Sequence, residues 1–243
     1  MIMKQSTKLI LDIFFGAVIP IAVLNSATGP LGAPLAYLVS ALIPVAWVFI
    51  DLLFITRRFN VITSYIGLSA IVRGALAFWF VDGALFALKD SASFFVSVVV
   101  FGVSVALGRP FLQYFVAQAL GPDTPERAAA LGRLLAEAEV RRNLMLGTLI
   151  LLIANLAGGV ANYLLNLNIV VARFGSEAFN LQVAEVNAIT RFALAIPETI
   201  VFAGAIWLVY RALFKNLPKE AGKEQLESDF WELVRLREQK AGE

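Results

Sequence analysis

Two ionisable side chains, Arg73 and Glu198, fall inside stretches that are otherwise apolar. At the centre of a bilayer an ionised group costs about 2.5 to 3.5 kcal/mol on insertion scales, so each needs a partner or a wet cavity. Arg73 lies eleven residues into its run, about 16 Å along a helix. Glu198 lies nine residues into a run of opposite direction, about 13 Å from its outer end. The matched depths predict that the two meet across a helix bundle, as a polar site for a solute or proton, or as a structural ion pair. The alternative has Arg73 snorkelling outward beside Asp82.

Other polar groups gather around these two. Arg191 stands seven residues before Glu198, two helical turns, and shares its face. Pro197 frees a backbone carbonyl one turn earlier, a device of transport sites and of plain kinks alike. Asn155, Asn162 and Asn166 recur at intervals of seven and four on a stripe that also carries Ala154 and Gly158. Small residues let helices approach and asparagines bond across the contact; the same amides would line a solute path if water reached them. Towards the basic ends of the first two apolar runs, Asp12 and Asp51 sit near Lys8, Arg57, Arg58 and Arg109, a set expected to form a charge network at the cytoplasmic face. Asp82, Lys89, Asp90 and Arg191 are expected to do the same at the outer face.

Most enzyme chemistry has no residues to perform it. The chain has no histidine and no cysteine, so imidazole bases, thiolate nucleophiles and Cys/His zinc sites are excluded. Neither GxxxxGK[ST] nor GxGxxG occurs. Asp82 and Asp90 are eight apart in one loop, and Ser91 and Ser93 have no evident activator. We expect no catalytic residues, no metal and no cofactor.

The elements that must carry these groups are membrane helices. Of 243 residues, 59% are hydrophobic and 16% charged, against about 25% charged in soluble domains. Mean hydropathy is +0.78. A spanning helix takes about 20 apolar residues, and six candidates appear: Leu9 to Leu24, Leu35 to Ile55, Ile62 to Phe80, Ala92 to Leu107, Leu144 to Leu165 and Ile189 to Phe214. With the N-terminus in the cytoplasm, sixteen Lys and Arg fall inside, only Lys89 and Arg173 fall outside, and Arg73 and Arg191 lie within spans. This positive-inside bias puts both termini in the cytoplasm. Lys4 and Lys8 ahead of the first run resemble a secretory signal, but Asp12 and Pro20 interrupt it and Asn25-Ser26-Ala27 is a poor cleavage site.

Two further segments read as amphipathic helices on the cytoplasmic side. Thr124-Pro125 has the form of a helix start, and Leu131, Leu134, Leu135 and Ala138 then recur on one face, giving a helix over 125–142. In the tail, 216–243, Leu226, Phe230, Leu233 and Val234 make a second stripe. From Arg211 to Glu243 there are seven basic and seven acidic residues, a balance that argues against a nucleic-acid arm. The expected partners are the bilayer, with anionic lipid headgroups at the cytoplasmic face, and membrane or division proteins. The fold class is thus all-α: a polytopic six-transmembrane-helix bundle, 1–215, with a cytoplasmic amphipathic helix and tail. No internal repeat of the kind found in many transporters is evident.

The order of short motifs adds a resemblance. Leu31-Gly32-x-Pro34 opens the second span, Asp51 and Arg57-Arg58-Phe59-Asn60 close it, and Lys89-Asp90-Ser91 precedes the fourth. Arg109-Pro110 follows that span, and Ser176-Glu177-Ala178-Phe179-Asn180 lies in the last outer loop. From about Leu9 to Phe214 the chain resembles an uncharacterised bacterial inner-membrane family grouped with intracellular septation protein A. The resemblance implies six-span inner-membrane architecture and an envelope or septation context, and it carries over no catalytic residues. The expected role is therefore a structural or assembly component of the envelope or septation machinery. The alternative is a small-solute or proton-coupled transporter or channel using Arg73, Glu198 and the asparagine stripe.

Overall fold

The computed structural model describes residues 11–57, 61–218 and 228–241. Lys4, Lys8, Arg58, Phe59, Asn60, Lys219, Lys223 and Leu226 lie outside the described residues, as does the Arg191 side chain. Among the described residues every regular element is helical. Three stretches are long and apolar enough to cross a bilayer: Ala33–Ile55, Ala138–Ile169 and Glu177–Lys215. A fourth is completed if Gly83–Asp90 and Ala92–Ala106, bent by 48°, form one broken span.

The chain divides into two compact units: the first holds everything up to Val99 together with Ala154–Thr199, and the second holds Val100–Ile153 and Ile200 onward. In the first, α1 (Leu11–Ser26) and the four-residue α2 (Thr28–Leu31) lead into α3 (Ala33–Ile50). Gly32 adopts φ +77°, open to glycine, and turns the chain so that Pro34 enters the first turn of α3, where no amide is needed. Two wide π-helical turns interrupt the ladders, at Phe14–Val18 in α1 and at Asp51–Thr56 below α3. The second ends at Arg57, whose left-handed φ of +49° is unusual for a residue with a side chain; its Nε donates to the Phe54 carbonyl at 3.0 Å.

α4 (Val61–Ala77), α5 (Gly83–Asp90) and the start of α6 (Ala92–Ala106) follow. Several boundaries depart from expectation. α1 and α4 are apolar but no longer than 17 residues: α1 runs two residues beyond the expected end at Leu24, with Leu9 and Ile10 outside the described residues, and α4 stops three residues short of Phe80; Gly83 in a left-handed turn starts α5 where a loop was expected.

The fifth apolar run belongs to a 32-residue helix, Ala138–Ile169, about 48 Å long and well beyond the hydrocarbon thickness of about 30 Å. The sixth run is not one helix from Ile189. After α7 (Leu112–Leu120), α8 (Pro125–Leu135) and α9 (Ala138–Ile169), α10 (Glu177–Ala193) ends before Leu194, and a new helix starts at Ala195. Pro197 has no N–H for the Ala193 carbonyl, which is why the ladder breaks there.

The core of the first unit is aromatic. Phe86, Phe174 and Phe179 surround Tyr37 with centroids 5.6 to 6.3 Å from its ring, all edge-on, the arrangement ring quadrupoles favour. Asn180 is fully buried and its amide donates to Thr28 Oγ1 at 3.0 Å and to the Ala33 carbonyl at 2.9 Å. Ser176 caps α10 by accepting from the Phe179 N–H at 3.1 Å. The Ser176–Asn180 motif therefore holds the start of α10 on the α2–α3 corner.

In the second unit, Thr124 caps the Pro125–Leu135 helix through the Arg127 N–H, as the sequence predicts. That helix stops short of the expected residue 142, because the Ala136 N–H bonds both Gly132 and Arg133 carbonyls in a tight closing turn. Residues from Ala138 on begin the 32-residue helix instead. The tail helix Phe230–Ala241 packs on the Pro125–Leu135 helix, burying Leu233 and Val234 with Leu131 and Leu134. Arg133 meets Glu238 at 2.7 Å and Arg237 meets Glu137. Such partly exposed pairs are worth about 0.2 to 1 kcal/mol each. We expect Arg237→Glu to raise protease nicking ahead of Phe230, and Glu137→Arg on the same chain to reverse it; nicking that ignores both charges would show that the apolar stripe alone docks the tail.

Candidate functional site

A cleft of about 270 Å³ opens among α1, α3, α4, α5, α10 and the long helices of the first unit. Apolar helices wall it, yet Arg73, Lys89, Asp90 and Glu198 all face it, with Tyr37, Ser40, Asn162, Asn187 and Thr190. Its formal charge is balanced, two cations against two acids. A second cavity of about 350 Å³ carries Tyr65, Ser69, Ser93, Ser97 and Asn155. Pro44, Arg73, Phe94 and Glu198 line both cavities and so form the wall between them.

Arg73 and Glu198 are thus brought to one place, but not to each other. The expected ion pair is not formed: Arg73 donates from Nη2 to Ser93 Oγ at 3.0 Å, and Glu198 Oε1 is buried without a hydrogen-bond partner. Nor does Arg73 snorkel to Asp82, which accepts from the Phe174 N–H at 3.2 Å. The room for Glu198 comes from Gly158. A Cβ there would lie 2.8 Å from Glu198 Oε1 and 2.9 Å from the Phe94 ring, and one at Gly159 would lie 2.9 Å from Phe94 Cβ.

The asparagine stripe splits by function. Asn162 and Asn166 are buried, and both donate to Asp90 Oδ2, at 3.1 and 2.9 Å. Asn162 also donates to Ser91 Oγ at 3.0 Å. Asn155 faces the second cavity. The two lower asparagines thus anchor an acid at the break between α5 and α6, where the bent backbone leaves polar groups to be satisfied. At the same break Lys89 is only 6% exposed. Its Nζ donates to the Trp79 carbonyl at 2.5 Å and lies 4.7 Å from the Tyr37 ring centroid and 5.5 Å from that of Phe86, cation–π distances. Lys89 and Asp90 are therefore not an outer-loop charge pair, as the sequence suggested, but the inner wall of the cleft.

The expected cytoplasmic-face network is partly re-drawn. Asp12 accepts from the Trp47 indole N–H at 2.8 Å, and Phe15 stacks on Trp47 at 4.6 Å, tying α1 to α3. Asp51 lies in the π-helical turn and Arg57 at its end. Arg109 belongs to the second unit, and Arg58 lies outside the described residues. Arg191 sits on α10 two residues before its end.

Asn187 and Thr190 were not singled out from the sequence, which offered Lys89 and Asp90 only as outer-face charges and Ser93 only as a serine without an activator. One signal pointed to Lys89 and Asp90: Lys-Asp-Ser falls at the junction of helices of eight and fifteen residues, both too short to span alone. No family model, no curated protein and no solved structure matches the chain.

Proposed function

We propose that this chain is a six-span membrane protein that takes a small polar solute into the cleft between Arg73, Glu198 and Asp90 and passes it across the bilayer. The observation that carries the reading is the cleft itself. Four ionisable side chains face one cavity in a unit whose helices leave Ile71, Leu164 and Ile196 exposed. Lipid covers such surfaces, and ionisable groups kept within them mark solute and ion paths. A helix broken at Lys89-Asp90-Ser91 and another broken at Leu194 supply the unwound backbone that transport sites use.

The span count follows from adding α1 and α4 to the long helices and the bent pair. Short spans are accommodated by local bilayer thinning at a cost of fractions of a kcal/mol per Å. Sixteen basic residues on one side against two on the other support cytoplasmic termini and contact with anionic headgroups. The family resemblance supports a bacterial inner-membrane setting. An assembly role in the envelope or in septation remains the companion reading, but the tail offers it little surface, since Leu233 and Val234 are already buried against the chain's own helix.

The test is osmotic swelling of proteoliposomes in glycerol, urea and L-alanine gradients. The protein should speed swelling for at least one solute, and Glu198→Gln should remove about nine-tenths of the increment while leaving thermal unfolding unchanged. Equal swelling of protein-bearing and empty vesicles with every solute would sink the reading.

A further inference from the structure

Resting on the solute-path reading, we infer that the solute is a compact zwitterion, its anionic end received by Arg73 and its cationic end by Glu198. Opposite charges facing one low-dielectric cavity would ordinarily close on each other, because the attraction grows as water is excluded. Here they are held open from both sides. Ser93 takes one guanidinium N–H of Arg73 at 3.0 Å and leaves the remaining donors of the fork unbonded among the described residues. Glu198 occupies the notch over Gly158, with Oε1 buried and unbonded among the described residues.

Glu198 lines the cleft with no side-chain hydrogen bond among the described residues, and an unpaired acceptor in such surroundings costs about 1 to 3 kcal/mol, so a ligand that donates to this carboxylate completes the arrangement. The other charged groups of the cleft already have partners within the protein. Asp90 holds two amides, and Lys89 holds the Trp79 carbonyl and two rings. What remains open is one cation and one carboxylate, the complement of a molecule bearing one of each. A purely anionic solute would leave Glu198 unmet, and a purely cationic one would leave Arg73 unmet. Site groups left unpaired by a truncated ligand are what reject it. A volume of about 270 Å³ admits a molecule of amino-acid size with its waters.

Four molecules of nearly one shape separate the cases: L-alanine, propionate without the ammonium, isopropylamine without the carboxylate, and uncharged propanamide. Each is added to the detergent-purified full chain, and its affinity is read from the shift in thermal unfolding. L-alanine should bind about tenfold or more tightly than the other three, and Glu198→Gln or Arg73→Gln should erase that preference. Propionate, isopropylamine or propanamide binding as well as L-alanine would overturn the zwitterion while leaving a solute-binding cleft in place. No shift from any of the four would overturn the inference and the solute reading together. Because the comparison is made on the natural chain, a misfolded variant does not weaken it.

Discussion

Replacing Asn162 and Asn166 together with leucine should destabilise the protein by about 3 kcal/mol, since both amides donate to one carboxylate oxygen of Asp90 and an acid stripped of its buried donors bears a cost above that of neutral groups. A single hydrogen bond between membrane helices averages only about 0.6 kcal/mol, so the excess over twice that figure measures the charge. The decisive comparison adds Asp90→Leu to the pair. Removing all the partners of a buried polar cluster is close to neutral where removing some is not, so the triple variant should recover most of the loss in reversible unfolding from mixed micelles. A double variant that loses less than about 1 kcal/mol would mean that Asp90 finds its donors elsewhere.

Gly147→Val should have an effect of similar size in the second unit. A Cβ at Gly147 would stand 2.5 Å from Leu112 Cδ2, 3.4 Å from the Ala205 carbonyl oxygen and 3.6 Å from Ala205 Cβ. Leu112 and Ala205 are 0% and 1% exposed, so neither has space to withdraw into. Overpacking of this kind costs about 1 to 3 kcal/mol for small additions, and valine adds two methyl groups beyond alanine, so about 3 kcal/mol or more is expected. Gly132 and Gly204 supply the contrast, for nothing lies within 4 Å of their added Cβ. Alanine at either should be neutral or stabilising by up to about 1 kcal/mol through helix propensity. Equal responses at all three glycines would show that Gly147 is not a packing contact.

Which parts of this arrangement were legible beforehand depends on which forces set them. Long apolar runs are written in composition, and Ala33–Ile55 and Ala138–Ile169 contain the expected runs with their ends extended. Pro197 likewise announced the break that falls at Leu194. Short elements were not legible: Gly83–Asp90 and Leu112–Leu120 have eight and nine residues, too few for periodicity to declare itself. Up to Ile189 the sequence has the polarity of a loop, which hides a helix, α10, held by Phe179, Asn180 and Val183 in the aromatic core. Depth arithmetic brought Arg73 and Glu198 to the same wall, yet it was blind to Ser93, the neighbour that holds the guanidinium away from the acid. Lys89 and Asp90 looked like solvent charges for the same reason. Their partners, Trp79, Asn162 and Asn166, come from distant parts of the chain.

The π-helical turn at Phe14–Val18, where the Ile19 N–H reaches back to Phe14, amounts to one surplus residue threaded into an otherwise regular coil. Excising one amino acid there would restore an unbroken α-ladder, and because the bulge already takes up the surplus residue, the segments before and after it would keep nearly the same faces. Asp12 would stay opposite Trp47, and Pro20 and Leu24 would keep their places. Length polymorphism at this point is therefore a local adjustment: a lineage that dropped or regained the residue would reshape the patch of cleft wall at Gly16 and Ala17 while the residues on either side kept their aim.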